Sequence, residues 1–297
     1  MKTEYDEKKA IICGLAGNTI WGMGYYFMTL ALRYSTPAVM LAWRFSFAFL
    51  IMNVWKIVRK EKISFKGKKL IPFIVFVGIE PVCYFLESYS VLLTNATFAG
   101  MVMAITPVVA MTMSAVFLKE NPTKKQIIYC AFPVVGVIMI TVAGKSLGVV
   151  TLVGVALCFA FTIASGIYKT TNRSAAQQFT PFERTYFLLG FCALTYVTYA
   201  LIESRNDISL LFGPIHEIGF IVPVSLMTVL NSVLANFLVN MGAGRISVTR
   251  MAVFGAVSTV VSTFAGIVLL KEPYSPMLLF GALLVVFGVW KVTVSGK

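Results

Sequence analysis

Glu80, Tyr84 and Glu87 stand at i, i+4 and i+7 of one apolar run, residues 70–93, so a helix puts all three on one face. Two carboxylates and a phenol in apolar surroundings suit the holding of a cationic group or the carriage of a proton. Glu80 precedes Pro81, which removes a backbone hydrogen bond from the same turn. Arg44 is a further charge within an apolar run, residues 36–56. At about 1.5 Å per helical residue, Arg44 and Glu87 come to similar depths, with Glu80 about 10 Å beyond. Each such residue costs about 2.5–3.5 kcal/mol on insertion scales, so chemistry is sought there first. Arg44 and Glu87 have two readings: an ion pair locking two helices, or groups offered to the carboxylate or amine of a bound solute. Glu80 has no partner expected at its depth; it binds a cation, carries a coupling proton, or is a structural carboxyl group.

Three milder stripes accompany these charges. Asn18, Trp21, Tyr25 and Thr29 share a helical spacing, and an aromatic stripe opposite Glu80 suits a cation or a ring. Ser232, Asn236 and Asn240 follow at i, i+4 and i+8, with Asn231 beside them; asparagines of this kind also join helices. Ser258, Thr259, Ser262, Thr263 and Gly266 form a small polar strip whose main expected role is close helix packing. The candidate solute-binding set is Trp21, Tyr25, Arg44, Glu80, Tyr84, Glu87, Asn231, Asn236 and Ser262, with Glu80 the candidate for proton coupling. His216, the one histidine, lies in a connecting loop, and no phosphate-cradling glycine loop with its lysine occurs. No catalytic residue, cofactor or metal is expected, and an enzyme is not the reading.

These residues must be positioned by membrane helices. Hydrophobic residues make up 58% of the chain and charged ones 12%, about half the charge of a soluble domain. Apolar segments cover 10–32, 36–56, 70–93, 95–118, 125–144, 147–168, 182–202, 218–241, 247–270 and 274–292. A run of about 20 apolar residues spans the hydrocarbon core as a helix. Barrel strands would alternate over about ten residues, which these runs do not. The net charge of +13 follows topology. With ten spans and a cytoplasmic N-terminus, Arg33, Lys145, Arg205 and Lys271 alone fall outside and Arg44 within a span. The remaining Lys and Arg lie inside, which obeys the positive-inside rule and places both termini in the cytoplasm. No nucleic-acid partner is expected. Cys13, Cys83, Cys130, Cys158 and Cys192 sit inside spans without paired spacing and read as packing residues. Residues 1–9 precede a run too long for a signal-peptide core, so the first segment reads as a spanning helix.

The chain also repeats itself. Leu118-Lys119-Glu120 recurs as Leu270-Lys271-Glu272, and at the same shift of 152 residues Thr97 meets Thr249, Ala104 meets Ala256 and Gly136-Val137 meets Gly288-Val289. Five spans per half is an odd number, so the second copy enters from the opposite side; inverted repeats of this kind hold solute sites between them. The join is expected at Gly144-Lys145-Ser146-Leu147-Gly148, giving repeats at 1–145 and 146–297 within one structural unit.

Pro107 followed by Phe117-Leu118-Lys119-Glu120-Asn121-Pro122-Thr123 resembles the drug/metabolite transporter superfamily, EamA-type. Thr36-Pro37 with Arg44, Tyr84-Phe85-Leu86-Glu87 leading to Thr94-Asn95-Ala96-Thr97, and Lys271-Glu272-Pro273 carry the same resemblance. It covers essentially all ten segments. It implies an all-α membrane protein of ten transmembrane helices in two inverted five-helix repeats around a central cavity. The halves differ where Thr259 stands opposite Pro107 and where Thr180-Pro181 is followed by Arg184, so the site is expected to be asymmetric.

The expected function is a secondary transporter that moves a small polar organic metabolite, an amino acid or related amine, by alternating access across the bacterial inner membrane. Export rests on the resemblance alone. The alternatives are a carrier of quaternary ammonium or polyamine-type cations and, in another class, a non-transporting scaffold or receptor. The expected partners are the solute and the lipid bilayer, with a monomer or homodimer as the assembly.

Overall fold

The computed structural model describes residues 2–118, 123–129, 131–146, 150–245 and 248–294. Lys119-Glu120, Cys130 and Leu147-Gly148 of the expected join lie outside the described residues, as does the Pro107 side chain. The helices are α1 (Lys2–Ala31), α2 (Pro37–Arg59), α3 (Ile71–Leu93), α4 (Ala96–Met103), α5 (Thr106–Leu118), α6 (Lys124–Tyr129) and α7 (Ala131–Ser146). The second half continues with α8 (Leu152–Ala175), α9 (Pro181–Glu203), the short α10 (Ser209–Phe212), α11 (Ile218–Leu226), α12 (Asn236–Ala243), α13 (Val248–Phe264) and α14 (Pro276–Val294). A π-helical segment, Met227–Ala235, joins α11 to α12, and another, Ala265–Leu269, ends α13.

Among the described residues, five helices are long and apolar enough to cross a membrane: α2, α3, α8, α9 and the continuous stretch Ile218–Ala243. The expected segment 95–118 is divided into α4 and α5 by a turn at residues 104–105, while α6 and α7 flank residue 130, which lies outside the described residues. Helix α1 begins at Lys2, so the charged head of the chain continues the first helix. The large exposed side chains include Ile57, Ile71 and Ile218, each at least three-quarters exposed, an arrangement suited to lipid rather than water. Hydroxyls on the same surfaces turn inward: Thr195 and Thr198 donate to Phe191 and Leu194 carbonyls one turn back, leaving no donor facing hydrocarbon.

Helix starts follow local chemistry. Thr36 and Thr180 each precede a proline at the first helical position; both side chains accept from the backbone of the first turn. Thr180 forms a full capping box with Glu183, whose carboxylate also receives Lys68 Nζ at 2.8 Å and Ser64 N at 3.1 Å. The basic loop between α2 and α3 is thereby clamped to the start of α9. At the other end of the molecule, Glu272 accepts Ala96 N at 3.0 Å and Thr97 N at 2.8 Å. A side chain of the second half thus caps α4 of the first, where the helix dipole favours an anion.

The halves pack as exchanged copies. Helix α3 lies against α8, and the corresponding pair, the Ile218–Ala243 stretch and α1, lie together as well. The equivalents α2 and α9 pack on each other, as do α7 and α14. The α7–α14 crossing is made at Gly136 and Gly281, where an added Cβ on either would meet the other's carbonyl oxygen at 2.5–2.8 Å. Gly22 gives α1 the same close approach to Ser258 and Val261 of α13.

Candidate solute site

A cavity of about 90 Å³ lies between the halves. By a measure in which one water needs about 10–15 Å³, it takes several waters or one small solute. Helix α1 contributes Asn18, Trp21, Gly24, Tyr25 and Met28; α3 contributes Glu80, Cys83, Tyr84 and Glu87. Arg44 enters from α2, Phe161, Ser165, Tyr168 and Lys169 from α8, Asn231 from the first π segment, and Gly255, Ser258 and Thr259 from α13. Met103 and Thr106 come from either side of the break between α4 and α5. The helical spacing read along 70–93 is realised, with Glu80, Tyr84 and Glu87 on one wall.

The four charges in this wall are only partly engaged. Arg44 is 2% exposed, yet among the described residues its side chain makes a single hydrogen bond, Nε donating to Ser232 Oγ at 2.7 Å. Its guanidinium lies 4.9 Å from the Tyr84 ring centre and 5.1 Å from that of Phe45, where cation–π attraction offsets part of the desolvation. The expected Arg44–Glu87 ion pair does not form within 4.0 Å among the described residues. Glu87 instead sits beside the Tyr25 hydroxyl, and Glu80 beside Tyr84 and Cys83. The reason is rotational. Side chains at equal depth pair only if both point at each other, and depth along a helix does not fix that angle.

The π segment decides the asparagine stripe. Within this segment Asn236 Nδ2 donates back to the Asn231 and Ser232 carbonyls at 3.3 and 3.0 Å and also to Tyr84 Oη at 3.1 Å. Tyr84 and Asn236 are 152 residues apart, the repeat shift itself, so equivalent positions of the two copies touch at the centre of the molecule. Asn231 turns toward the cavity and donates to the Ile20 carbonyl at 2.7 Å. Gly24 makes this possible, since a Cβ there would collide with the Asn231 amide. Regular i, i+4 counting does not survive a π turn, which is why Asn231 reaches the cavity and Asn240 does not.

Of the candidates read from sequence, Trp21, Tyr25, Arg44, Glu80, Tyr84, Glu87 and Asn231 line the cavity together. Asn236 stands one layer behind through Tyr84. Ser262 is a correction: it is fully buried away from the cavity, donates to the Thr259 carbonyl at 3.0 Å and packs on Gly100, which suits the close-packing role of its strip. Thr29 donates to the Tyr25 carbonyl of its own helix and likewise faces elsewhere. Lys169 is the residue that sequence reasoning missed. The expected segment ended at residue 168 and counted Lys169 among the cytoplasmic charges, whereas α8 continues to Ala175 and holds it in the cavity wall. A signal existed: the shift of 144 residues that places Thr36-Pro37 on Thr180-Pro181 also places Trp21 on Ser165 and Tyr25 on Lys169, all lining the cavity.

A second buried arginine, near the start of the expected segment 182–202, was counted among the inner-side charges. Arg184 is 1% exposed and donates from Nη1 to Asn172 Oδ1 and from Nη2 to the Asn240 carbonyl. Asn172 in turn donates to Asn240 Oδ1 at 2.9 Å, and Asn240 to Thr185 at 2.9 Å. This network ties α8, α9 and α12 together, with Arg184 Nε left without a partner among the described residues. It occupies Asn240, the last residue of the Ser232, Asn236 and Asn240 stripe.

A polar, charge-lined cavity enclosed by two interleaved halves with a lipid-suited exterior defines a membrane carrier built on a repeat. The EamA-like transporter family matches residues 8–142 and again residues 152–294. The chain belongs to the EamA-like transporter family and is a multi-pass membrane transporter. It is 28% identical over 290 residues to an uncharacterized transporter of Bacillus subtilis strain 168, YcxC, covering 96% of this chain and 93% of that one. It is 27% identical over 289 residues to an uncharacterized transporter of Archaeoglobus fulgidus, covering 96% and 98%. A crystal structure 18% identical in sequence shares its fold with a TM-score of 0.70, over 97% of each chain.

Proposed function

We propose that this transporter moves a small polar organic solute bearing an amino group, an amino acid or a related amine, by alternating access. The observation that carries this reading is the cavity between the halves, where Glu80 and Glu87 face a space for one small solute without a direct ion pair. Carboxylates kept in an apolar interior at such cost are expected to act on cargo. In this reading Arg44 and Glu87 fix or gate one end, while Glu80, Tyr84, Trp21, Tyr25 and Asn236 surround the solute. The direction, export across a bacterial plasma membrane, is supported by the family resemblance. Ten spans in two inverted repeats with cytoplasmic termini agree with the placement of Lys and Arg.

Uptake and counterflow in proteoliposomes with a panel of amino acids and amines tests the reading; specific binding with no flux for any of them would favour a receptor or scaffold. Glu80 is also the proposed proton carrier. Glu80→Gln is expected to remove the response of flux to an imposed proton gradient, and an unchanged response sinks that role. The aromatic side chains Trp21, Tyr25 and Tyr84 beside two carboxylates favour a second reading, a quaternary ammonium or polyamine cargo. Lys169 in the same wall counts against a polycation, which it would repel.

A further inference from the structure

Lys169 lines the cavity and makes no hydrogen bond or ion pair among the described residues. Its ammonium lies over Gly255 of α13, at 3.7 Å from where a Cβ would stand, so the absence of a side chain there leaves the nitrogen facing open space. The carboxylate that acts on it is Glu80, and the two do not come within 4.0 Å. A cation and an anion therefore line one cavity but stand apart, each without an ion pair within 4.0 Å among the described residues.

Two neutral groups beside them are also left open. The Tyr168 hydroxyl, on a side chain 3% exposed, has no hydrogen-bond partner, and neither has Asn231 Oδ1 on a side chain 2% exposed. Buried groups of this kind are costly to leave bare, since each forfeits its bonds to water on folding. The set comprises a cation with a hydroxyl donor next to it in sequence, and a carboxylate with an amide acceptor on the same cavity. It is complementary to a molecule that carries an ammonium and a carboxylate a few ångströms apart.

We infer that the cavity reads the zwitterionic head of an α-amino acid, with Lys169 and Tyr168 receiving its carboxylate and Glu80, supported by Asn231, its ammonium. The inference rests on the proposed function and narrows it: an amine without a carboxylate leaves Lys169 and Tyr168 bare, and a carboxylic acid without an amine leaves Glu80 bare. Free energy then favours the zwitterion at both ends at once. Lys169 is the specificity-determining residue for the anionic end.

Competition in proteoliposome counterflow tests this with L-alanine, L-serine, L-valine and L-leucine, each beside its primary amide and its des-amino acid. For the native protein the amino acids are expected to compete at least about 10-fold better than either analogue, the worth of one charge-assisted hydrogen bond. Lys169→Gln should bring amide and amino acid within about 3-fold of each other while the des-amino acids stay weak, and Lys169→Arg should keep the native ranking. Amides competing as well as amino acids in the native protein overturn the inference while leaving an amine carrier standing. An unchanged ranking in Lys169→Gln overturns the role of Lys169. Competition by none of the probes overturns both the inference and the proposed function. Should Lys169→Gln not give a monodisperse protein, the native ranking and Lys169→Arg decide.

Discussion

Arg44 and Arg184 are buried to the same degree, at 2% and 1% exposure, and follow the same Thr-Pro helix start on equivalent helices. Their surroundings differ. Arg184 has its terminal nitrogens on Asn172 and Asn240, which hold each other and Thr185 in turn. Among the described residues the Arg44 side chain makes one hydrogen bond, to Ser232, and has an aromatic face beneath its guanidinium. A cation whose terminal nitrogens are held by neutral amides ties helices together, even with its Nε left without a partner among the described residues. A cation that keeps donors unspent beside a cavity is poised for an anion or for a change of partner. Buried charge alone therefore does not mark a site; unspent bonding capacity that faces a cavity does.

The comparison is sharpest in variants that separate flux from stability. Arg44→Gln is expected to lower flux about 100-fold, equivalent to about 2.7 kcal/mol, while shifting unfolding by less than about 1 kcal/mol. A variant that unfolds easily yet transports normally would make Arg44 a second strut. Arg184→Gln is expected to do the reverse, destabilising by about 1–3 kcal/mol through the bare amides it leaves, with flux of the folded fraction within about 3-fold of native. Denaturant titration in detergent beside flux per folded molecule reads both quantities. The smallest effect is expected at Glu272, where Glu272→Gln keeps an acceptor for Ala96 and Thr97 but loses the charge, at about 0.3–1 kcal/mol. A larger loss confined to flux would move Glu272 from cap to gate.

Much of this was legible in the residues. Helical spacing within 70–93 put Glu80, Tyr84 and Glu87 on one wall, and the repeat placed the site between the two halves; the contact of Tyr84 with Asn236, one repeat shift apart, came only from the structure. The failures have physical causes. The Arg44–Glu87 pair was inferred from depth, but helix rotation about its own axis is set by packing against several neighbours. Lys169 was assigned to a loop because a charge usually ends a span; here Gly255 leaves space for it beside α13. The stripe of span-eight asparagines was split by a π turn, a backbone irregularity with no composition signature.

The sequence by itself determined the membrane class, the duplication, the family and the wall that carries the carboxylates, because these depend on local period and on one-dimensional correspondence. Only the tertiary structure decided which charges are spent and which are open. That is a matter of angles and distances between helices far apart in the chain: Ser232 reaches Arg44 across 188 residues, and Asn240 reaches Arg184 across 56. No spacing along one helix encodes whether its neighbour supplies a hydroxyl, a ring, an amide or an empty space.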